Sequence, residues 1–157
     1  MNSNWFECKI KLEKAIEGGI TKMVTEAYLV DALNFTEAEA RIIKEVSPFC
    51  SGQLEVADIK RARYAEIFTN DADSADKWYK VKCMFITLDE KTQTEKKSAQ
   101  LMLVQASDLR DAVARFDAGM KGTMADYEIN TVQETTLLDV YPFEAPDKND
   151  AKPEYEQ

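Results

Sequence analysis

Histidine is absent from the 157-residue chain. That excludes Ser-His-Asp and Cys-His catalysis, histidine-based zinc sites and the side chain that most often serves as a base near neutral pH. An enzyme built from this sequence would have to work with carboxylates, lysine, tyrosine or cysteine, assisted by a divalent metal. Cysteine is scarce: only Cys8, Cys50 and Cys83 occur. An odd count without CxxC spacing argues against a disulfide framework and against a zinc site. Cys8 and Cys83 alternate with polar residues on apolar strand faces, which predicts buried free thiols in a reducing compartment. No apolar run approaches the ~20 residues of a membrane span. The stretch Met1 to Trp5 has neither the basic nor the apolar region of a signal peptide, so a cytoplasmic location is expected. Basic residues are outnumbered 20 to 29, a net charge of −9. Such a chain is repelled by phosphate backbones unless cations cluster locally, so nucleic acid is not favoured as a partner. Neither a cofactor motif nor a catalytic motif is found, and none of either is expected.

What the sequence does contain is an internal repeat. Trp5-Phe6-Glu7-Cys8-Lys9 aligns with Trp78-Tyr79-Lys80-Val81-Lys82 at an offset of 73. From Leu29 to Arg41 the offset is 74, and six of the thirteen positions match those from Leu103 to Arg115. The offset then returns to 73, with Leu54-Glu55-Val56 against Tyr127-Glu128-Ile129 and Tyr64 to Phe68 against Leu137 to Tyr141. The expected organisation is a first unit over 1–69, a polar linker over 70–77, a second unit over 78–141 and an acidic, proline-containing tail over 142–157, read as mobile.

Each unit reads as β-β-α-β. Phe6, Cys8, Ile10 and Leu12 alternate with polar residues, the period of a half-buried strand. Gly18-Gly19 marks a turn, and a return strand runs over about 20–33. In the second unit Tyr79, Val81, Cys83 and Phe85 form the apolar face, Asp89 to Lys96 is the polar connection, and Ser98 to Ala106 returns. Thr36 and Glu39 have capping-box spacing ahead of a helix with Ala38, Ile42, Ile43 and Val46. Ser107 or Asp108 caps the matching helix, with Leu109, Ala112, Val113 and Phe116. The small pairs Ala38/Ala112 and Ala40/Ala114 predict close helix approach. A long third strand is expected over 54–68 and over 127–141. Its apolar parity jumps from Val56 to Ile59 and from Ile129 to Val132, the mark of a bulge. The strand order 2-1-3 follows for each unit. The fold class is therefore α+β: two tandem pseudo-symmetric β-β-α-β repeats forming a mostly antiparallel sheet of about six strands, with two helices on one face.

Several strings also carry a family resemblance: Asn4-Trp5-Phe6-Glu7-Cys8-Lys9, Val24 to Ala32, Phe35 to Ile43, Met102 to Leu109 and Met120 to Tyr127. They resemble an uncharacterised domain-of-unknown-function family of Bacteroidetes bacteria and their phages and mobile elements. The resemblance spans nearly all of the chain except the tail. It implies a cytoplasmic, mobile-element-associated protein and brings no activity or site residues with it.

The candidate binding residues are Trp5, Lys9, Trp78 and Lys82, which share the strand face opposite the apolar one. Aromatics beside cations bind nucleotides or single-stranded nucleic acid by stacking and charge; packing of the two rings inside the chain or in a homodimer is the competing role. The dense basic run holds Lys60, Arg61 and Arg63, either guarding a strand edge or contacting an anionic group. Glu55/Glu128 and Glu66/Asp139 repeat in the two units but read as solvated strand positions, so no metal site is assigned. The leading reading is a non-catalytic binding or adaptor protein for a protein partner or small ligand. A nucleotide or single-stranded nucleic-acid binder is the alternative, and a carboxylate-metal enzyme the least supported.

Overall fold

The computed structural model describes residues 4–143. The first half contains β1 (Trp5–Ala15), β2 (Thr21–Asp31), α1 (Phe35–Val46), β3 (Leu54–Ala62) and β4 (Tyr64–Phe68). The second contains β5 (Lys77–Asp89), β6 (Thr94–Ala106), α2 (Leu109–Gly119), β7 (Asp126–Glu134) and β8 (Leu137–Tyr141). The expected mobile tail lies outside the described residues from position 144 onward.

The strands form two four-stranded sheets, in the orders β3-β1-β2-β8 and β4-β6-β5-β7. The expectation of one sheet of about six strands is therefore corrected. The order 2-1-3 holds within each half, but a fourth strand is added from the other half. The long third strand is not continuous. It breaks at Arg63 in the first half and at Thr135-Thr136 in the second. Beyond the break, β4 pairs parallel with β6 and β8 pairs parallel with β2. Each half thus lends its last strand to the other, and both sheets are mixed rather than antiparallel throughout.

Local sequence explains the regular parts. Gly18 and Gly19, at φ +85° and +74°, turn the β1–β2 hairpin through a region that other residues rarely enter. The second hairpin is tighter than its polar sequence suggests: β5 and β6 pair out to Asp89 opposite Thr94, because polar residues are tolerated on the solvated faces of an antiparallel pair. The cap of α1 is Asn34, not Thr36. Its Oδ1 accepts from Glu37 N at 2.8 Å, while Glu37 Oε1 accepts from Leu33 N at 3.2 Å. Asp108 and Asp111 repeat the device on α2, at 2.8 Å and 3.0 Å, the latter bond coming from Ser107 N. Each device thus satisfies one orphan N–H of the helix and the N–H of the residue just before the cap. The bulges lie where parity breaks. Register shifts skip Ala57 opposite Lys9/Ile10 and Asn130 opposite Lys82/Cys83.

Each sheet buries one face under its own helix. Phe6, Cys8, Ile10, Leu12 and Val30 pack against Ala38, Ile42 and Val46 of α1. Val81, Cys83, Met102 and Val104 pack against Phe116, and Tyr79 against Ala112, of α2. Ala38 and Ala112 are fully buried, so close approach applies to them; Ala40 and Ala114 are exposed and take no part in it. Cys8 and Cys83 are buried and unpaired. Burial, with Glu7 and Asp58 nearby, pushes the Cys8 thiol up to about 12, which makes it a core side chain rather than a nucleophile. The helices do not share a face. They cover the outer faces of different sheets, and the inner faces meet through Trp5, Ala27, Leu29, Trp78, Leu103, Leu137 and Val140. The exchanged strands supply part of this inner core, which is why the sheets stack instead of merging edge to edge.

Candidate ligand groove at the first crossover

The two breaks fall at aligned positions of the two halves, each beside a tryptophan of the inner core, and their side chains differ. At the second crossover Thr135 sits opposite Trp78. Its N–H donates to the Trp78 carbonyl at 2.8 Å and its hydroxyl donates to the same oxygen at 2.9 Å. The hydroxyl also accepts from Leu137 N at 3.3 Å, which ties the start of β8 to the end of β7. At the first crossover the residue opposite Trp5 is Ala62, which has no hydroxyl to make such a tie.

A groove of about 540 Å³ opens at that first crossover. Arg61 and Arg63 flank it, Trp5 and Tyr64 supply aromatic surface, and Asn4 and Gln100 supply amides. The other lining side chains are alanines and Leu101, so no carboxylate and no thiol faces the groove. Arg61 projects over the Phe6 ring at 5.7 Å from its centroid, a contact that holds the guanidinium without neutralising it. Among the described residues neither Arg61 nor Arg63 makes an ion pair. Lys60 differs: it reaches Glu7 at 3.4 Å. Tyr64 is half-buried, and burial, helped by Glu7, pushes its phenol up to about 12. A phenol is protonated at neutral pH in any case, and the shift extends that state into alkali.

The structure divides the candidate residues drawn from the sequence. Trp5 and Trp78 do lie on the sheet faces away from the helices. They are covered within the chain, at 9% and 3% exposure, in one shared cluster. An open platform of two tryptophans, as a stacking site requires, is thus not formed. Lys9 and Lys82 are exposed on strands leading away from this cluster and do not line the groove. Trp5, Arg61 and Arg63 all border the groove, but the register sets Arg61 opposite Phe6, on the face that α1 covers, and Trp5 on the other face; Lys60 lies opposite Glu7 and pairs with it. Tyr64, Asn4 and Gln100 were missed as site residues. An aromatic directly after the Lys60–Arg63 run was a legible hint for Tyr64, whereas Gln100 arrives from β6 and carries no local signal.

No three His, Cys, Asp or Glu side chains among the described residues come close enough to hold a metal ion. Glu128 is engaged by Lys97 at 2.9 Å. Among the described residues no helix is long and apolar enough to cross a membrane.

A family model described as Domain of unknown function (DUF4494) matches residues 4–143. The chain belongs to this family. The match spans every described residue, both halves and both exchanged strands included. Comparison with curated proteins finds no match, and comparison with solved structures finds none.

Proposed function

We propose that this DUF4494 protein is a non-catalytic binding protein, and that an anion-bearing ligand seats in the groove at the first crossover. One observation carries the reading: two arginines without an acidic partner flank a concave, half-apolar groove in a chain of net charge −9. Arginine is the side chain best suited to holding carboxylate or phosphate. The groove lining has no carboxylate, thiol or imidazole. Residues able to bind are present there, and residues able to relay a proton at neutral pH are not.

Two features of the chain fit the same reading. The halves share element order, reciprocal caps and bulge positions, which supports a tandem duplication with units near 1–69 and 78–141. A duplicated scaffold then lets one crossover be tied shut while the other is adapted for a ligand. A cytoplasmic setting in a Bacteroidetes cell or mobile element, which the family resemblance implies, belongs to this proposal too.

Thermal shift of the full chain against inorganic phosphate, citrate and sugar phosphates tests it, since a ligand that binds only the folded state raises Tm. At least one anion should raise Tm in the native protein and fail to do so in Arg61→Ala/Arg63→Ala. A panel without effect, or shifts that the double variant keeps, would defeat the proposal.

A further inference from the structure

We infer that the free edge of β3 is a recognition surface for a second copy of this chain, which pairs its own β3 antiparallel to it about a two-fold axis. The inference goes beyond the ligand reading and does not depend on it. β3 is an outer strand of its sheet, and an outer strand leaves a row of backbone N–H and C=O groups without a partner. The register says which groups these are. Glu13 donates its N–H to the Gln53 carbonyl at 2.9 Å and accepts from Ser51 N at 2.8 Å, so its backbone faces the segment that enters β3. Alternation then turns Lys11, Lys9 and Glu7 toward β3, and turns their opposite residues Glu55, Asp58 and Lys60 toward β1. Leu54, Val56, Ile59 and Arg61 are left with their backbone groups facing outward.

The bulge at Ala57 decides how two such edges fit. It brings Val56 and Ile59, three residues apart, to the same sheet face and the same outward orientation. A bulge spoils pairing with a regular strand, but here both strands carry it and their spacing agrees. Setting Val56 against Ile59 of the second copy matches faces and hydrogen-bonding groups together. Leu54 then meets Arg61, and Glu55 meets Lys60. A slip of one or two residues brings outward groups against inward ones. The axis passes through the middle of the strand, so each pair forms twice.

Charge follows the same register. On the face away from α1, the row across both copies reads Lys11, Glu55, then Lys60 and Glu7 of the second copy, alternating in sign throughout. Lys60 reaches its own Glu7 at 3.4 Å with 65% of its side chain exposed, which leaves its other flank open. Asp58 lies opposite Lys9. On the α1 face, Val56 and Ile59 border a hollow of about 410 Å³ together with Phe35, which is 52% exposed. A second strand laid beside β3 covers that apolar surface.

The edge of β7 supplies the contrast. It is the outer strand of the other sheet and has its bulge at the aligned place. The aligned register would set Ile129 against Val132, Glu128 against Gln133 and Tyr127 against Glu134. β7 carries Asp126, Glu128 and Glu134 and no cation, so two copies of it repel. One self-complementary edge per chain gives a closed dimer instead of a filament.

Sedimentation velocity of the full chain over a range of concentrations, at low and high salt, tests the inference. A reversible dimer that salt weakens is expected. Lys60→Glu sets a carboxylate against Glu55 of the second copy, and Glu55→Lys sets an ammonium against Lys60. Each variant alone should associate at least about tenfold more weakly, since attraction turns to repulsion at both ends of the strand pair. An equimolar mixture of the two should associate as the native protein does, because unlike charges then meet at both ends. Recovery on mixing separates charge recognition from damage to the fold. In the native protein the amides of Val56 and Ile59 should exchange more slowly where the dimer forms, and those of Ile129 and Val132 should not respond. A chain that stays monomeric at millimolar concentration would overturn the inference. So would a dimer that either variant keeps at native strength, or one whose protection falls on β7 and leaves β3 exchanging as in the monomer.

Discussion

The two crossovers perform the same topological task with different side chains. At 134–137 the chain leaves one sheet and enters the other under a hydroxyl that bonds both flanks, Trp78 on one side and Leu137 on the other. At 61–64 it makes the same passage with Ala62 and no such bond, and the space beside it is a groove rimmed by arginine. The passage itself therefore does not need the tie. Strand pairing and the inner core suffice to hold it, and the threonine adds local stability at the end where no ligand is expected. A scaffold with two equivalent ends can keep one for rigidity and leave the other accessible, a division that a single unit could not make.

The largest test of that division falls on the tryptophans. Both rings belong to the inner core, but Trp78 is the more enclosed and Trp5 borders the groove. Trp78→Ala should cost about 3–5 kcal/mol, the usual loss for an aromatic cavity that the surroundings cannot close. Trp5→Ala should cost less, because part of its space already opens to water. Urea denaturation of both variants measures the difference. Equal losses would mean that the first crossover is as tightly enclosed as the second, and the comparison would fail at its energetic root.

Alkali offers a second contrast, smaller than the tryptophan effect and confined to high pH. Tyr64 stands where the second crossover has Leu137. Its folded pKa, up to about 12, lies above the ordinary value near 10. A raised folded pKa means that the protonated phenol favours the folded state. That contribution is complete below about pH 10 and is lost as pH rises toward 12. Tyr64→Phe should therefore lessen the decline of the urea midpoint above pH 10 and leave neutral-pH stability nearly unchanged. The decline should not disappear, because Cys8, Tyr28 and Tyr141 are raised in the same direction by burial. A decline identical to that of the native protein would place Tyr64 in water.

How far the molecule was legible beforehand can be read from the same elements. Alternation at Phe6 to Leu12 and the parity jumps at Val56/Ile59 and Ile129/Val132 are local signals, and the order 2-1-3 follows from strand and helix directions within one unit, so all were accessible. The exchange of β4 and β8 was not. It depends on which distant strand accepts a five-residue segment, and Tyr64 to Phe68 has the same β character whether it continues β3 or joins β6. A hint existed in Gln133-Glu134-Thr135-Thr136, four polar residues in the middle of a supposed strand. The cap of α1 was misplaced by two residues because Thr36/Glu39 and Asn34/Glu37 both satisfy the spacing. The site was half legible: Trp5, Arg61 and Arg63 stood out as residue types, but their meeting place and the burial of both indoles are products of the exchange.

The finest test acts on the tie itself. Thr135→Val keeps the side-chain shape and removes only the hydroxyl. The Trp78 carbonyl would still accept from the Thr135 position's backbone N–H, so it would not be orphaned. Leu137 N would lose its 3.3 Å partner, and β8 would lose the bond that fixes its start. One net hydrogen bond is worth about 1 kcal/mol, and that is the expected loss. Where it falls matters more than its size. In the native protein the backbone amides at the start of β8 should exchange with solvent more slowly than those at the start of β4, since both strands add parallel to a sheet edge and only one is tied. The substitution should speed exchange in β8 and leave β4 unaltered, bringing the two ends toward equality. Equal exchange in the native protein, or a loss spread over both ends in the variant, would show that Thr135 stabilises the chain without distinguishing its two crossovers.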